Sequence, residues 1–403
     1  MSKKLMVLGG SGYAVPVIET AQKLGCKVIT CDYLPDNAAH KYSDGYENIS
    51  IADKEAVLAA AWKLGIDGVL SFACDPGVVT AAYVAEKMGL PFQCSYEAAC
   101  ILQDKGRFRQ FLKTHHFNTP NAKKYSGTEI PDEDTGYFNW PVIVKPSDSA
   151  GSKGVSKAEC PDALKEAAAR AVRYSRSSSF IVEDFLEFEG FHSSADVFSV
   201  DGKMQFVSYS DQLFDAGAEN SYVPSMIIWP STMRQEHQEF LSREMQRLAG
   251  LLHLGTGIYN VETCVGAGGI PYFMEISPRG GGCRIAEIQQ LCMGARLIEN
   301  EVRGSLGMPL VLFQSHEPDG CWCEMVIHAA PGQQGIFQGL EIDAEVRNRF
   351  VEALHVSAKK GDAVHPFTGA DRSLGDIFLR FRDRAELDDV MAHAAEWMRI
   401  ITL

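Results

Sequence analysis

Short apolar runs alternate with amphipathic segments from residue 4 to residue 99, and this alternation constrains the fold more than any other feature. Each apolar run is bounded by Gly or Asp. Apolar runs of this kind, separated by helices, form parallel sheets whose two faces are both covered. The predicted strands are KLMVLGG, KVITCDY and DGVLSFA, and the predicted helices are YAVPVIETAQKLG, DKEAVLAAAWKLG and PGVVTAAYVAEKMG. The pattern therefore predicts a small doubly wound α/β domain.

The pattern changes after residue 100 to helices mixed with strands that are typical of antiparallel pairing. The predicted helices span 101–119, 161–175 and 234–253. Asp201 and Gly202 form the turn of a predicted hairpin. After Gly307 we expect a mixed sheet that ends in a helix over 384–401.

These changes divide the chain into three parts. A chain of 403 residues holds two or three domains of the usual size. The predicted parts are an α/β domain at 1–100, a central domain at 101–307 with α+β subdomains at 101–180 and 181–307, and a C-terminal mixed α/β lid at 308–403.

Charge and cysteine content exclude several functional classes. The formal net charge is −14, which argues against a nucleic-acid or anionic-membrane partner because such surfaces require clustered Lys and Arg. The eleven cysteines include no C-x-x-C pair, which is typical of a reduced, cytoplasmic protein. No apolar stretch is long enough for a signal segment or a membrane span.

A glycine-rich turn, GGSGYA at Gly9 to Ala14, follows the first predicted strand, and Asp32 ends the second. Glycines at this place let a backbone approach a pyrophosphate at a helix N-terminus. The spacing is nevertheless G-G-x-G rather than G-x-G-x-x-G, and Pro16 lies early in the helix. A structural turn or an edge of a substrate site is therefore favoured over a nicotinamide site.

A second glycine-rich segment, VIVKPSDSAGSKGV, joins a predicted buried strand to a flexible loop. The strand carries Lys145, and the loop contains Asp148, Ser152, Lys153 and Gly154. Small residues leave backbone N–H groups free to surround phosphate oxygens, and a lysine anchored on a strand adds a point charge. The alternative is a plain Gly/Ser hairpin beside a surface lysine. The spacing differs from that of an ordinary P-loop.

Two glutamates interrupt apolar strands on either side of the turn GAGGI. Glu262 lies in YNVETCV and Glu275 in YFMEISPR, so a hairpin would place both on one face within cross-strand reach. Two like charges on one buried face need a cation between them, and Mg²⁺ or Mn²⁺ prefers carboxylate and phosphate oxygens. Arg279 follows the second strand, where it is suited to bind a transferring phosphoryl group.

Taken together, these residues resemble the ATP-grasp superfamily, in particular its carboxylate–amine ligases and related carbamoyl-phosphate-synthase-like proteins. The motifs occur in the same order across nearly the whole chain: QDKGRFRQFL, VIVKPSDSAGSKGV, FIVEDFL, the two-glutamate hairpin and a C-terminal lid. The resemblance implies an ATP-grasp fold of two α+β subdomains in the centre of the chain. It also implies that a carboxylate attacks the γ-phosphate of ATP, and that an amine then displaces phosphate from the acylphosphate.

The resemblance also implies roles for individual residues. Lys105 and Lys145 would contact ATP phosphates, the latter as a catalytic residue together with Arg279, and residues 148–154 would close over them. The linker VEDFL would bind adenine through Glu183 and through the backbone at Asp184, Phe185 and Leu186. Glu262 and Glu275 would bind Mg²⁺.

Two positions depart from the family pattern. Ser277 stands where the family usually has asparagine as a further metal ligand, and His192 stands where a ribose-binding glutamate aligns. Glu189 or Glu187 could take over the ribose, and a satisfied core or surface histidine is favoured for His192 over a catalytic one.

The acceptor side of the site is harder to predict. Arg284, next to Gly281 and Gly282, is a candidate for binding a substrate carboxylate, with a helix-surface arginine as the alternative. The polar segment 211–225 is long enough to be a specificity loop.

Several functions stay open from the sequence. The preferred function is an ATP- and Mg²⁺-dependent ligase acting on a small carboxylate and an amine, and a homodimer is left open. The alternatives are a carbamoyl-phosphate or purine-pathway type enzyme, and a nucleotide-binding protein that has lost catalysis. A dinucleotide oxidoreductase is the most distant alternative, since no hydride-transfer constellation accompanies the first glycine turn.

Overall fold

The computed structural model describes residues 2–403. The N-terminal part is a four-stranded parallel sheet of order β3-β2-β1-β4, as the alternation of apolar runs predicts. Its strands are β1 (Lys4–Leu8), β2 (Lys27–Cys31), β3 (Gly45–Glu47) and β4 (Gly68–Ser71), and its helices are α1 (Val15–Lys23), α2 (Lys54–Leu64) and α3 (Asp75–Met88). The short edge strand β3 was not predicted, because three residues are too few to show a periodicity.

Two helices replace the single helix that the sequence predicts over 101–119. They are α4 (Tyr96–Gln103) and α5 (Lys105–Thr114). The chain is extended at Asp104, whose side chain accepts a hydrogen bond from the Arg107 backbone N–H at 2.9 Å. This is an N-cap, so α5 starts a new helix with Lys105 as its first residue.

A four-stranded antiparallel sheet of order β5-β8-β6-β7 follows, with one helix packed on it. Its elements are β5 (Ala122–Ser126), β6 (Val142–Pro146), β7 (Ser156–Ala158), α6 (Pro161–Tyr174) and β8 (Ser179–Asp184). The loop between β6 and β7 is the second glycine-rich segment of the sequence.

The largest sheet has nine strands, with the order β14-β13-β9-β11-β12-β15-β19-β17 and β10 paired to β9. Its first strands are β9 (Phe188–Val200), β10 (Lys203–Phe206), β11 (Asp211–Phe214), β12 (Pro224–Trp229), β13 (Gly257–Gly266) and β14 (Ile270–Ser277), and the helices of this part are α7 (Gln235–Leu251), α8 (Ile285–Met293) and α9 (Leu297–Ser305). The turn at Asp201 and Gly202 joins β9 to β10, as predicted.

The C-terminal part extends this sheet and adds a small one of order β18-β16-β20. Its elements are β15 (Cys321–Ile327), β16 (Gly335–Ile342), α10 (Ala344–Phe350), β17 (Val351–Val356), β18 (Ala363–Val364), β19 (Gly375–Phe381), α11 (Arg384–Ala392), α12 (Ala394–Trp397) and β20 (Met398–Thr402). The nine-stranded sheet therefore runs across the predicted boundary at 307/308.

Two expectations for the C-terminal part were wrong. The strand pairs after Gly307 are antiparallel rather than mixed. The helix expected over 384–401 ends at Trp397, and the last residues form β20 against β16. The final residues are rich in β-branched side chains, which favour a strand once a free sheet edge is available.

Candidate active site

The hairpin of β13 and β14 places Glu262 directly opposite Glu275. The register follows from the turn between the strands and includes one irregularity after Glu262. Side chains of directly opposed residues lie close together on the same face of a sheet. The structure thus brings together the two carboxylates that the sequence predicts as metal ligands.

The two carboxylates repel each other. Burial and the negative charge of Glu275 raise the pKa of Glu262, whereas the positive charges of Lys105, Arg279 and Lys145 lower it. The charges of one carboxylate and three cations therefore all act on the Glu262 carboxyl. Paired carboxylates with incomplete compensation are the donor set that Mg²⁺ or Mn²⁺ takes, so the residues present suit such an ion.

Lys105 connects this pair to the β6–β7 loop. Its Nζ lies 3.3 Å from Glu275 Oε2 and donates to the Ser149 carbonyl at 3.0 Å. The Lys105 backbone N–H also donates to the Ser147 carbonyl at 3.1 Å. Because Lys105 is the first residue of α5, the break at Asp104 aims this ammonium group at the carboxylates.

Glu183 is the centre of a double ion pair. Its Oε2 accepts from Lys145 Nζ at 2.8 Å, and its Oε1 accepts from Arg109 Nε at 2.7 Å. Although burial raises its pKa, the two cations lower it to about 2. Arg109 also donates to the carbonyls of Phe273 and Met274, which ties α5 to β14. Glu183 therefore orients Lys145 on its strand.

The loop 148–154 lies against two distant segments. Asn220 donates to the carbonyls of Ser152 and Thr368, at 3.1 and 3.0 Å. Lys153 Nζ lies 3.2 Å from Asp371 Oδ1. Ser152 and Gly154 have φ of 57° and 72°, in the left-handed region that glycine adopts most easily. The loop thus touches both the segment 211–225 and the C-terminal part.

Arg279 is fixed by the N-terminal domain. Its Nε and Nη2 donate to the two carboxylate oxygens of Asp75, at 2.9 and 2.7 Å, in a bidentate pair. Asp75 is the first residue of α3. Burial raises the pKa of Asp75, but the Arg279 guanidinium lowers it by more. The net shift is downward, so the carboxylate is charged. The pair links two domains at the edge of the site.

Ser277 belongs to this link as much as to the metal site. Its hydroxyl donates to Asp75 Oδ1 at 2.9 Å and accepts from Gln103 Nε2 at 2.6 Å. Because these two bonds use the hydroxyl hydrogen and one lone pair, only one lone pair of the Ser277 oxygen remains for a metal ion.

The predicted adenine side consists of the residues after β8. The Asp184 carboxylate accepts hydrogen bonds from Asn121 and Asn139, and the Phe185 N–H donates to the Pro141 carbonyl. Leu186 is half-buried. These bonds fix the linker to the four-stranded sheet, and they occupy the Asp184 carboxylate.

The predicted ribose-binding residues lie on β9 and just before it. Glu187 and Glu189 are exposed, and Glu189 accepts from the Gly268 N–H at 3.0 Å. His192 lies between the rings of Phe188 and Phe214, and burial together with the charge of Lys145 lowers its pKa to about 4. His192 is therefore neutral at pH 7.

Arg284 is the N-cap of α8, in a left-handed conformation with φ of 50°. Its Nη1 donates to both oxygens of Glu287, at 2.8 and 2.7 Å, and its Nε lies 3.6 Å from Asp376 Oδ2. Gly281 N–H donates to Asp196, and a Cβ on Gly282 would meet no atom within 4 Å. Arg284 thus faces two carboxylates, beside open space.

The glycine turn after β1 lacks the features of a dinucleotide site. The Asp32 carboxylate accepts from the N–H groups of Gly10 and Leu34 and from Asn37 Nδ2, so the turn itself uses it. Tyr13, which follows the glycines, donates to Asp376 Oδ1 at 3.3 Å. The turn therefore places a tyrosine at the edge of the site.

Sequence reasoning missed Arg109, Asp75 and Gln103. Arg109 lies four residues after Lys105 on one helix face, a spacing that could have identified it. Asp75 and Gln103 are 202 and 174 residues from Ser277, and nothing in the sequence indicates those contacts.

Comparison with known proteins adds an independent finding. Residues 102–283 match the family model described as an ATP-grasp domain. A formate-dependent phosphoribosylglycinamide formyltransferase of Synechococcus sp. (strain RCC307) is 28% identical over 346 residues, which cover 82% of this chain and 82% of the relative. Of the helices within residues 2–403, none is long and apolar enough to cross a membrane.

Solved structures share the fold across the whole chain. The L-amino acid ligase of Bacillus licheniformis superposes with a TM-score of 0.80 at 18% identity, covering 100% of this chain and 99% of the other. The biotin carboxylase domain of the Hydrogenobacter thermophilus 2-oxoglutarate carboxylase, in complex with MgADP and bicarbonate, gives 0.76 at 17% identity, covering 100% and 91%.

Proposed function

Because the chain is an ATP-grasp protein similar to carboxylate–amine ligases, we propose that it activates a small carboxylate with ATP and joins it to an amine. A carboxylate oxygen attacks the γ-phosphorus, the bond from that phosphorus to ADP breaks, and an acylphosphate forms. The amine then attacks the acyl carbon, phosphate leaves, and the amine loses a proton. The products are an amide, ADP and phosphate.

One observation carries the proposal. Glu262 and Glu275 face each other, with the charges of Lys105, Lys145 and Arg279 all acting on Glu262. Phosphoryl transfer requires positioning and charge neutralisation rather than covalent chemistry by the protein, and this cluster supplies both.

The residues of the site divide the work of binding ATP, the metal ion and the transferred phosphoryl group. Lys105 and Lys145 bind phosphate oxygens, and the loop 148–154 excludes water from them. Glu262 and Glu275 bind Mg²⁺ or Mn²⁺, which neutralises charge on the phosphates when it is bound. Arg279, oriented by Asp75, stabilises the transferred phosphoryl group. The linker 183–186 binds adenine through its backbone, since the Glu183 and Asp184 carboxylates are engaged in other contacts. Glu189 with His192 borders the ribose.

The test uses ATP, Mg²⁺ and a panel of small carboxylates, with hydroxylamine as the amine. Hydroxylamine converts an acylphosphate into a hydroxamate whatever the natural amine is. We expect ADP and hydroxamate in equal amounts with one class of carboxylate. ADP release without hydroxamate, or no nucleotide binding at all, would contradict the proposal. Nucleotide binding without any turnover would instead support the alternative in which catalysis has been lost.

A purine-pathway type reaction is the second candidate, favoured by the 28% identity with a formate-dependent phosphoribosylglycinamide formyltransferase. Formate with phosphoribosylglycinamide in the same assay tests it directly. Phosphate release with that pair, and with no other carboxylate, would replace the first proposal by the second.

Two further features belong to the proposal. All eleven cysteines are unpaired thiols, which agrees with a cytoplasmic location. We also propose a homodimer, for which light scattering on the purified protein gives the mass directly.

A further inference from the structure

A second pair of carboxylates lies beside the proposed phosphoryl-transfer site and is not used by it. Glu324 is on β15 and Asp376 on β19, and the register places Asp376 opposite Val326. Glu324 and Asp376 are therefore diagonal neighbours on one face of the nine-stranded sheet. Ligand atoms of Glu324, Asp376 and Cys283 lie within 4.8 Å of one another.

Glu324 has no hydrogen-bonded cation among the described residues. Its side chain is 0% exposed, and neither carboxylate oxygen has a hydrogen-bond donor among the described residues unless one acid of the pair is protonated. Buried carboxylates are ordinarily paired, because an isolated one costs several kcal/mol. Burial and the neighbouring Asp376 raise the pKa of Glu324 well above its usual value.

The surrounding charges do not neutralise the pair. Within residues 2–403, Arg284 is the cation whose charge acts on both carboxyl groups, and Glu287 already binds that guanidinium. His355 lies opposite Asp376, but burial and the charge of Arg284 lower its pKa to about 4, so its ring is neutral. Three carboxyl groups thus face one guanidinium, so acidic groups outnumber basic ones in the cluster.

The cluster lies near the proposed phosphoryl-transfer site. A Cβ on Gly12 or Gly282 would meet no atom within 4 Å, and Tyr13, the residue after Gly12, donates to Asp376. The charges of Glu324, Asp376, Glu262 and Arg279 all act on the Cys283 thiol. The acid pair and the proposed phosphoryl-transfer site are therefore neighbours.

We propose that Glu324 and Asp376 bind an ammonium group of the carboxylate substrate, which is therefore an amino acid or a similar zwitterion. The inference rests on the proposed function, since it concerns the carboxylate activated there. The attacking amine must be unprotonated, whereas neighbouring carboxylates stabilise the protonated form. The ammonium group bound here is consequently the non-reacting one, on the molecule whose carboxylate is phosphorylated.

A metal ion is the competing occupant, since Cys283 completes a set of three ligands. Burial and the nearby carboxylates raise the pKa of the Cys283 thiol well above its usual value, and only a thiolate is a good metal ligand. An anionic phosphoribosyl group is disfavoured by the same excess of carboxylates.

The test is equilibrium binding by calorimetry in the presence of MgADP. The probes are the twenty L-amino acids, β-alanine and γ-aminobutyrate, each compared with its twin lacking the amino group. We expect at least one amino acid to bind and its twin to bind at least about tenfold more weakly, which is the usual effect of losing a charged hydrogen bond. Equal binding of the twins, or binding of MgADP but of no probe, would overturn the inference while leaving the proposed function intact.

Variants locate the effect. Glu324→Gln should weaken amino-acid binding about tenfold to a hundredfold and leave MgADP binding within about twofold. Asp376→Asn serves if the first variant does not fold, and Glu352→Gln, an exposed acid on β17 of the same sheet, is the matched control. Stoichiometric Zn²⁺ binding that Cys283→Ser abolishes would instead make the cluster a metal site. If MgADP itself does not bind, the proposed function fails as well.

Discussion

Glu183 differs from the pair of Glu262 and Glu275 in how the carboxylate charges are compensated. Glu183 receives a cation on each oxygen, at 2.7 and 2.8 Å, and its pKa is lowered to about 2. Glu262 faces another glutamate, and its pKa is raised. Both lie in the same half of the candidate site. A carboxylate whose charge is balanced by two cations, as in Glu183, holds those cations in place. A pair of carboxylates whose charge is not fully balanced, as in Glu262 and Glu275, leaves negative charge that a bound cation can neutralise.

The largest expected effect is on catalysis at the uncompensated pair. Glu275→Gln removes a proposed metal ligand, so we expect kcat/KM for ATP-dependent hydroxamate formation to fall at least about a thousandfold, or about 4 kcal/mol. The melting temperature should change little, because the variant loses the ion pair with Lys105 as well as the like-charge contact with Glu262. Glu352→Gln is the matched control, and a loss below about tenfold would break the distinction between Glu183 and the pair.

The next largest effect is on stability at the compensated carboxylate. Glu183→Gln leaves Arg109 buried without its counter-charge, which costs about 3–5 kcal/mol of unfolding free energy. Glu262→Gln, the matched change at the uncompensated pair, should be neutral or stabilising. Urea unfolding measures both, and similar losses at the two positions would show that compensation does not separate them.

The dependence of stability on pH should differ between the two carboxylates. Because the pKa of Glu183 is lowered, its contribution is complete above about pH 4.3 and is lost as the pH falls towards 2. Because the pKa of Glu262 is raised to about 7, the folded state takes up a proton first, and stability increases as the pH falls from about 8 to 5.

Unfolding free energies at a series of pH values test this pair of slopes. Glu183→Gln should remove the loss below about pH 4, and Glu262→Gln should remove the gain between about pH 8 and 5. Saturating Mg²⁺ should reduce the second slope in the wild-type protein. If the unfolding free energy depended on pH identically in the wild type and both variants, these pKa shifts would not belong to Glu183 and Glu262.

The smallest expected effect is at Ser277. Ser277→Ala removes hydrogen bonds to Asp75 and Gln103, which should cost about 1 kcal/mol of stability. Since the hydroxyl is largely used by those contacts, kcat should change less than about tenfold. A loss as large as that of Glu275→Gln would make Ser277 a metal ligand equal to the glutamates.

Much of the fold follows from local pattern. The parallel sheet of the first domain and the hairpin with Glu262 opposite Glu275 depend on runs of residues and on turns that can be read along the chain. The break at Asp104 could also have been found, since aspartate is a preferred N-cap residue and here accepts from the Arg107 N–H. Beyond such short range the sequence gives little guidance.

What could not be predicted depends on contacts between distant segments. Nothing near Arg279 indicates that Asp75, 204 residues earlier, forms its ion pair. Glu324 and Asp376 have ordinary positions in two apolar strands, and only the pairing of those strands shows that they share a face. The final strand β20 depends in the same way on the free edge of β16.

Binding of Mn²⁺ with ADP, followed by electron paramagnetic resonance, tests most directly whether the uncompensated carboxylates are the cation site. We predict that the wild type binds the MnADP complex and that Glu262→Gln and Glu275→Gln each weaken this binding at least about tenfold, or about 1.4 kcal/mol. The control Glu352→Gln should bind as the wild type does. Unchanged binding in both glutamate variants would contradict the account.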